Sequence, residues 1–303
     1  MADLPTPLDE APPSLSGGRP LFLKREDVHE LGAFKWRGAL PALEGFRSGG
    51  AEGVVTASTG NHGAASAWAA QRTGMQAIVF VPEGASEAKL ALLGELGAEL
   101  HRVGDDLDES KELAREHAAA NELAFFEDGA EPAQFDGYEA IGREILEQVG
   151  TSPALVIVPV GNGALIIGVA RGVGPVLGVV AKEAPVMALS VEAGHPVESD
   201  RSGTFADGMA IRVAIPLAVE EMSRAGMPMT MVSERAIARA VGDFAAAGIR
   251  VEGSGAAALA AFRELDLEDK PTVLIVTGRN IDDALYRRAL DDPGSFPTRN
   301  ATT

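Results

Sequence analysis

Lys35 in "GAFKWRGAL" (Gly32 to Leu40) stands behind a phenylalanine and a small-residue turn, where a helical pattern begins. An amine in that position can act as a base or condense with a carbonyl once burial and neighbouring charge tune it, although the ordinary reading of any lysine is a solvated surface charge. In "ASTGNHGAAS", Ser58, Thr59, Gly60, Asn61 and His62 bring two hydroxyls, a carboxamide and backbone N–H groups to a helix N-terminus. That set suits a carboxylate. Taken alone, it equally describes Ser58 or Thr59 capping a helix and His62 as a structural hydrogen-bonder. In "VPVGNGALIIGVA", Gly161, Asn162 and Gly163 form either a phosphate cup or a plain tight turn from strand to helix. The glycines at 161, 163 and 168 do not fit a dinucleotide fingerprint, and no Walker lysine and hydroxyl follow. "VLIVTGRNID" ends a strand on Thr277, a hydroxyl that capping also explains, and "VEGSGAAALAAF" brings Glu252 to another small-residue helix start.

A carboxylate cup, a phosphate cup, a strand-end hydroxyl and a lysine are together what one ligand needs. That ligand is an amino acid joined to pyridoxal phosphate, with Lys35 as its Schiff-base lysine. The elements that must position these turns are βαβ units, because ligands in open α/β sheets bind beyond the carboxyl ends of the strands. Short apolar runs ("GVVTAS", "AIVFVP", "ELHRVG", "ALVIVPV", "MALSVEA", "TVLIVTG") read as strands. They alternate with helical stretches such as Asn61 to Arg72 and "SEAKLALLGELGA". The expected fold class is α/β: two doubly wound open-sheet lobes with the active site between them. The segment from about Gly194 to Met231 reads as irregular structure.

Composition removes several function classes. The 303 residues include 44 acidic and 26 basic ones, and a formal charge of -18 repels nucleic acid and anionic membranes. With no cysteine there is neither a disulfide, a thiolate nucleophile nor a Cys-ligated zinc. No apolar run is long enough to cross a bilayer and no leader peptide is visible, so the expected location is the cytoplasm.

Read in order, "LFLKRED", "GAFKWRGA", "ASTGNHGAA", "VPVGNGALIIGVA", "FADGMAIRV", "VEGSGAAALA" and "VTGRNID" give a stronger signal than any one of them. The chain resembles, nearly end to end, the fold-type II pyridoxal-phosphate enzymes, in the branch of threonine dehydratases, serine racemases and threonine synthases. The resemblance implies that Lys35 forms the imine with the cofactor, Phe34 packs against its ring and Asn61 meets the ring 3'-oxygen. It implies that Ser58, Thr59 and His62, with their backbone amides and Asn61, hold the substrate carboxylate. Gly161, Asn162, Gly163 and Ala164 wrap the phosphate, Thr277 meets the pyridine nitrogen, and Leu165 and Glu252 complete the cofactor set. A neutral hydroxyl at that nitrogen makes the cofactor a weaker electron sink, which favours coupled elimination over a free carbanion.

Departures bear on the substrate. Ala33 replaces the family's serine, the tetraglycine loop is Gly161-Asn162-Gly163-Ala164, and "SGGN" has become "TGRN" with Arg279. Asn162 and Thr277 lean toward threonine synthases; Trp36, His62 and "FADGMA" lean toward dehydratases. The leading expectation is a serine/threonine ammonia-lyase. The alternatives are a replacement enzyme on a phosphorylated amino acid, with Arg279 and Arg212 as candidate phosphate ligands, a racemase, for which Thr59 is a bulkier second base than serine, and a binding protein without catalysis. Glu192 and Glu198 match positions where some relatives hold Mg²⁺ or Ca²⁺, but in so acidic a chain they read better as solvated acids. About twenty residues follow Asp283, too few for a C-terminal regulatory domain, so feedback by isoleucine is not expected. The remaining expectations are a homodimer, a large domain of residues 1–45 and 133–303, and a small domain of residues 46–132.

Overall fold

The computed structural model of the protein describes residues 5–199, 202–267 and 270–298. The chain opens with β1 (Leu8–Glu10), α1 (Pro13–Ser16) and β2 (Leu21–Arg25), then continues through α2 (Trp36–Ser48), β3 (Gly53–Ala57), α3 (Asn61–Thr73) and β4 (Gln76–Val81). Next come α4 (Glu87–Glu95), β5 (Glu99–Arg102), α5 (Leu107–Ala120), β6 (Ala124–Phe125) and α6 (Pro132–Val149). The remainder holds β7 (Leu155–Pro159), α7 (Ala164–Val173), β8 (Val176–Ala181), α8 (Val186–Ala193), α9 (Pro216–Arg224) and β9 (Met229–Val232). It ends with α10 (Glu234–Ala246), α11 (Gly253–Glu264), β10 (Thr272–Val276) and α12 (Asp283–Asp291).

Two compact units result: Met1–Phe34 with Tyr138–Thr303, and Lys35–Gly137. The sequence reading put the divisions at 45/46 and 132/133. Helix α2 goes with the second unit because Trp36 at its start meets Trp68 of α3 edge-on, ring centroids 5.9 Å apart. The other division falls inside α6.

In the second unit the four described strands run parallel in the order β5-β4-β3-β6. The chain therefore steps outward from β3 to β5 and then crosses back to the other side of β3. That reversal opens a crevice beyond the carboxyl ends of β3 and β6. In the first unit the order is β1-β2-β10-β7-β8-β9, with only β1 antiparallel. Here the reversal lies between β7 and β10. Both crevices follow from strand order alone, before any side chain is considered.

These strands are continuous apolar runs because helices cover both faces of the sheet. All five residues of β10 are buried, and in α11 every residue from Gly253 to Phe262 is buried too. The alanines and glycines of α11 allow that all-round packing, since a larger side chain on any face would meet a neighbour.

Two sequence expectations are corrected. "MALSVEA" is not a strand: it belongs to helix α8, and the strand of that region is "VLGVVA", β8. An apolar run carries no period of its own, and Met, Ala, Leu and Glu favour a helix whereas the valines of β8 favour a strand. The segment 194–231 is not wholly irregular, because Pro216 starts α9 and Ala218, Val219 and Met222 bury one face of it. No helix among the described residues is long and apolar enough to cross a membrane.

Candidate active site

In the second unit the crevice between β3 and β6 collects three features. Lys35 occupies the N-cap position of α2, with its side chain 13% exposed. Its Nζ lies 2.5 Å from Asp128 Oδ2, on the turn that follows β6. Gln134, fully buried, donates from Nε2 to Asp128 Oδ1 at 3.1 Å and accepts the Gly129 N–H at 2.7 Å, so the carboxylate is held from behind. Burial pushes the Asp128 carboxyl up, but the Lys35 charge, the neighbouring His62 and hydrogen bonds from Lys35 and Gln134 outweigh it, holding the group well below the usual carboxylate range.

The 58–62 turn closes the other side of this crevice. Gly60 is the N-cap of α3 and no side chain caps that helix; the Ser58 hydroxyl instead accepts the Gly60 N–H at 3.1 Å. Neither Ser58 nor Thr59 is consumed as a cap, so the turn keeps the anion-seeking character of a helix start. Asn61 and His62 form its first turn. The His62 ring points into the core: Nε2 lies 3.0 Å from Thr56 Oγ1 and 3.3 Å from the Phe126 carbonyl, while Thr56 Oγ1 donates to that carbonyl at 2.8 Å. On its other side the ring presents Nδ1 to Asp128 Oδ1 at 3.5 Å. Burial lowers the His62 pKa, the Asp128 charge opposing, so the ring is neutral near pH 7. The bland reading of this histidine holds for its side chain, which ties β3 to the segment after β6.

In the first unit the crevice between β7 and β10 collects the other predicted residues. Gly163 is the N-cap of α7 in the left-handed region, φ 91°, and a Cβ there would lie 3.0 Å from both Ala218 Cβ and Met222 Sδ. Asn162 Oδ1 accepts the Ala164 N–H at 3.1 Å, and Ala164 and Leu165 are buried. Gly161 packs on Gly208, in the "FADGMA" segment. Across the crevice, Thr277 follows β10 with its side chain buried, and its Oγ1 has no partner among the described residues. Glu252 is the N-cap of α11 without capping it, and its N–H donates to Gly278 O at 3.0 Å. Phe34, the residue before Lys35, donates its N–H to Thr277 O at 3.1 Å and lies with its ring centroid 5.1 Å from that of Tyr138.

Glu192 on α8 and Glu198 are both exposed, and among the described residues no three His, Asp or Glu side chains gather as a metal site. Arg212 is exposed, and Arg279 reaches back to His29 O at 3.5 Å. Asp128, Gln134, Gly208 and Ser254, whose buried Oγ has no partner, were not among the expected residues. Asp128 follows the carboxyl end of a strand, the position that flags a ligand group, but a two-residue strand leaves no period to read.

The second unit thus holds an amine facing a carboxylate and an uncapped helix start, and the first holds a glycine turn with no room for a Cβ and a buried strand-end hydroxyl without a partner among the described residues, each a group that a phosphorylated carbonyl cofactor can use. The chain belongs to the family described as pyridoxal-phosphate dependent enzyme, which matches residues 1–278, and its cofactor is pyridoxal phosphate. It is 32% identical to the L-threonine ammonia-lyase of Thermotoga maritima over 286 residues, covering 91% of this chain and 71% of that protein. Two further relatives are longer, and the chain spans 42% and 36% of them. Its fold matches the processed threonine deaminase isoform 2 of Solanum lycopersicum with a TM-score of 0.89 at 28% identity, over 97% of this chain and 89% of that one. Maize serine racemase matches with a TM-score of 0.86 at 26% identity, over 95% and 92% of the two chains.

Proposed function

We propose that the protein is an ammonia-lyase that eliminates the β-hydroxyl of an amino acid such as L-threonine or L-serine, giving a 2-oxo acid and ammonia. The relatives named L-threonine ammonia-lyase and L-threonine dehydratase carry this reading, and Thr277 is compatible with it. Its buried hydroxyl, without a partner among the described residues, suits a hydrogen bond to the pyridine nitrogen and cannot hold that nitrogen protonated as a carboxylate does. Charge at the α-carbon is then poorly stored, and elimination that never builds it up is favoured. The L-threonine ammonia-lyase among the relatives supports the same chemistry.

When bound, pyridoxal phosphate supplies an aldehyde that condenses with amines and a conjugated ring that draws electrons from the α-carbon. Lys35 is the attachment point and the base. The helix start at Ser58, Thr59, Asn61 and His62 holds the substrate carboxylate, and the turn from Gly161 to Ala164, backed by Leu165, holds the cofactor phosphate. Lys35 Nζ takes the α-proton; the electron pair of that C–H bond forms the bond between the α- and β-carbons, the bond from β-carbon to oxygen breaks with its pair on oxygen, and the departing hydroxyl becomes water with a proton that the cofactor phosphate would supply. Addition of one water then releases ammonia, so water is neither gained nor lost overall. Asn61 would meet the ring 3'-oxygen, Phe34 would pack against the ring and Glu252 would belong to the cofactor-binding set. A cytoplasmic homodimer completes the proposal, carried by the resemblance to fold-type II enzymes; sedimentation of the purified chain tests the dimer.

The test has two parts. Borohydride reduction of the yellow protein followed by peptide mapping should put the pyridoxyl group on Lys35. Incubation with L-serine, L-threonine or O-phosphohomoserine should then release 2-oxo acid and ammonia from the first two only. Phosphate release from the third, or inversion of serine without ammonia, would replace the lyase by a synthase or a racemase.

A further inference from the structure

Asp128 is ninety-three positions from Lys35 in sequence, yet its Oδ2 lies 2.5 Å from Nζ. Nothing in the chemistry above uses it. The carboxylate is not a stray surface charge: Gln134 Nε2 fixes Oδ1 at 3.1 Å, and the neutral His62 presents Nδ1 to the same oxygen at 3.5 Å. Beside Asp128 in sequence, Glu127 pairs with Lys111 of α5 and with Arg115.

Resting on the proposed role of Lys35 as the base, we infer that Asp128 is its positioning residue, a fixed counter-charge that aims Nζ and holds the ammonium formed when the α-proton is taken. The physical reason is one of sign. A neutral amine makes only a weak hydrogen bond to an adjacent carboxylate, whereas an ammonium 2.5 Å away makes a charge-assisted one, so the ammonium formed by proton transfer is held where it forms. Partial burial of both side chains, 13% and 26% exposed, keeps that attraction from being screened as a surface pair is. The carboxylate itself takes no proton in the cycle. It lowers the energy of one protonation state of its neighbour.

The test compares wild type with Asp128→Asn, which keeps the shape and the Gln134 contact, and Asp128→Glu, which keeps the charge. In the chain freed of cofactor, the rate at which Lys35 reacts with an amine reagent at one fixed pH is read by mass spectrometry, with Lys182 as internal control. It should rise in Asp128→Asn, as expected when the amine is released from a contact with an opposite charge, and remain near wild type in Asp128→Glu. In the cofactor-loaded chains, Asp128→Asn should lower kcat at least about tenfold with little change in KM, and should enlarge the α-deuterium isotope effect. Unchanged Lys35 labelling in Asp128→Asn, or an Asp128→Glu chain that behaves like it, overturns the inference. Wild type that carries pyridoxyl on a residue other than Lys35 overturns the site reading instead, and the labelling comparison still reports on the pair.

Discussion

Gly161 approaches the Gly208 carbonyl so closely that a Cβ on it would lie 2.2 Å from that oxygen. Backbone cannot retreat as a flexible side chain can, so Gly161→Ala must move the turn or the "FADGMA" segment. A destabilisation of about 1–3 kcal/mol is expected from overpacking. Weaker pyridoxal-phosphate binding should accompany it, because the turn is the expected phosphate holder. Urea denaturation and a cofactor titration check both; a variant unchanged in both would remove the turn from the site.

Thr277→Val should separate folding from binding. The hydroxyl has no partner among the described residues, so an isosteric methyl is close to neutral, or stabilising, for the fold without cofactor. Affinity for pyridoxal phosphate should drop by about tenfold, the worth of one buried hydrogen bond. Full affinity in the variant would refute the contact with the pyridine nitrogen.

Lys24 is fully buried, its Nζ 2.5 Å from Glu144 Oε2, 2.7 Å from Thr6 O and 2.9 Å from Gln148 Oε1. Lys24→Met leaves Glu144 facing an apolar stem, and a loss of about 3–5 kcal/mol is expected. Adding Glu144→Gln should restore part of it in a double-mutant cycle. Additive losses in the double variant would mean the pair does not interact energetically.

His62 makes stability depend on pH with a definite sign. Its folded pKa lies below the unfolded one, so the unfolded chain binds more protons as pH falls below the usual imidazole range, and stability declines toward acid. Asp128, also depressed, adds a loss of the same sign in still more acid solution. Glu234, raised chiefly by burial, titrates in the opposite sense. The difference between wild type and His62→Gln therefore isolates the histidine: melting temperatures of the wild type should fall more steeply from pH 7 to pH 5. Parallel curves would show that the ring is not held neutral.

Much of the site was legible because each of its turns follows an apolar strand and precedes a helix, and such a turn carries its chemistry in consecutive residues. Ser58 to His62 and Gly161 to Ala164 are readable in that way. The misassignment of "MALSVEA" has the complementary cause: a fully buried run shows apolarity without period, so only its packing distinguishes helix from strand.

The sequence by itself determined the α/β class, the helix starts and the lysine at position 35, because these depend on neighbours within a few residues. Only the tertiary structure decided that Asp128 faces Lys35, that the His62 ring turns into the core, and that the Thr277 hydroxyl is left without a partner among the described residues. Those facts depend on strand order. The crossing from β5 to β6 returns the chain to the side of β3, and no local pattern records where a chain returns.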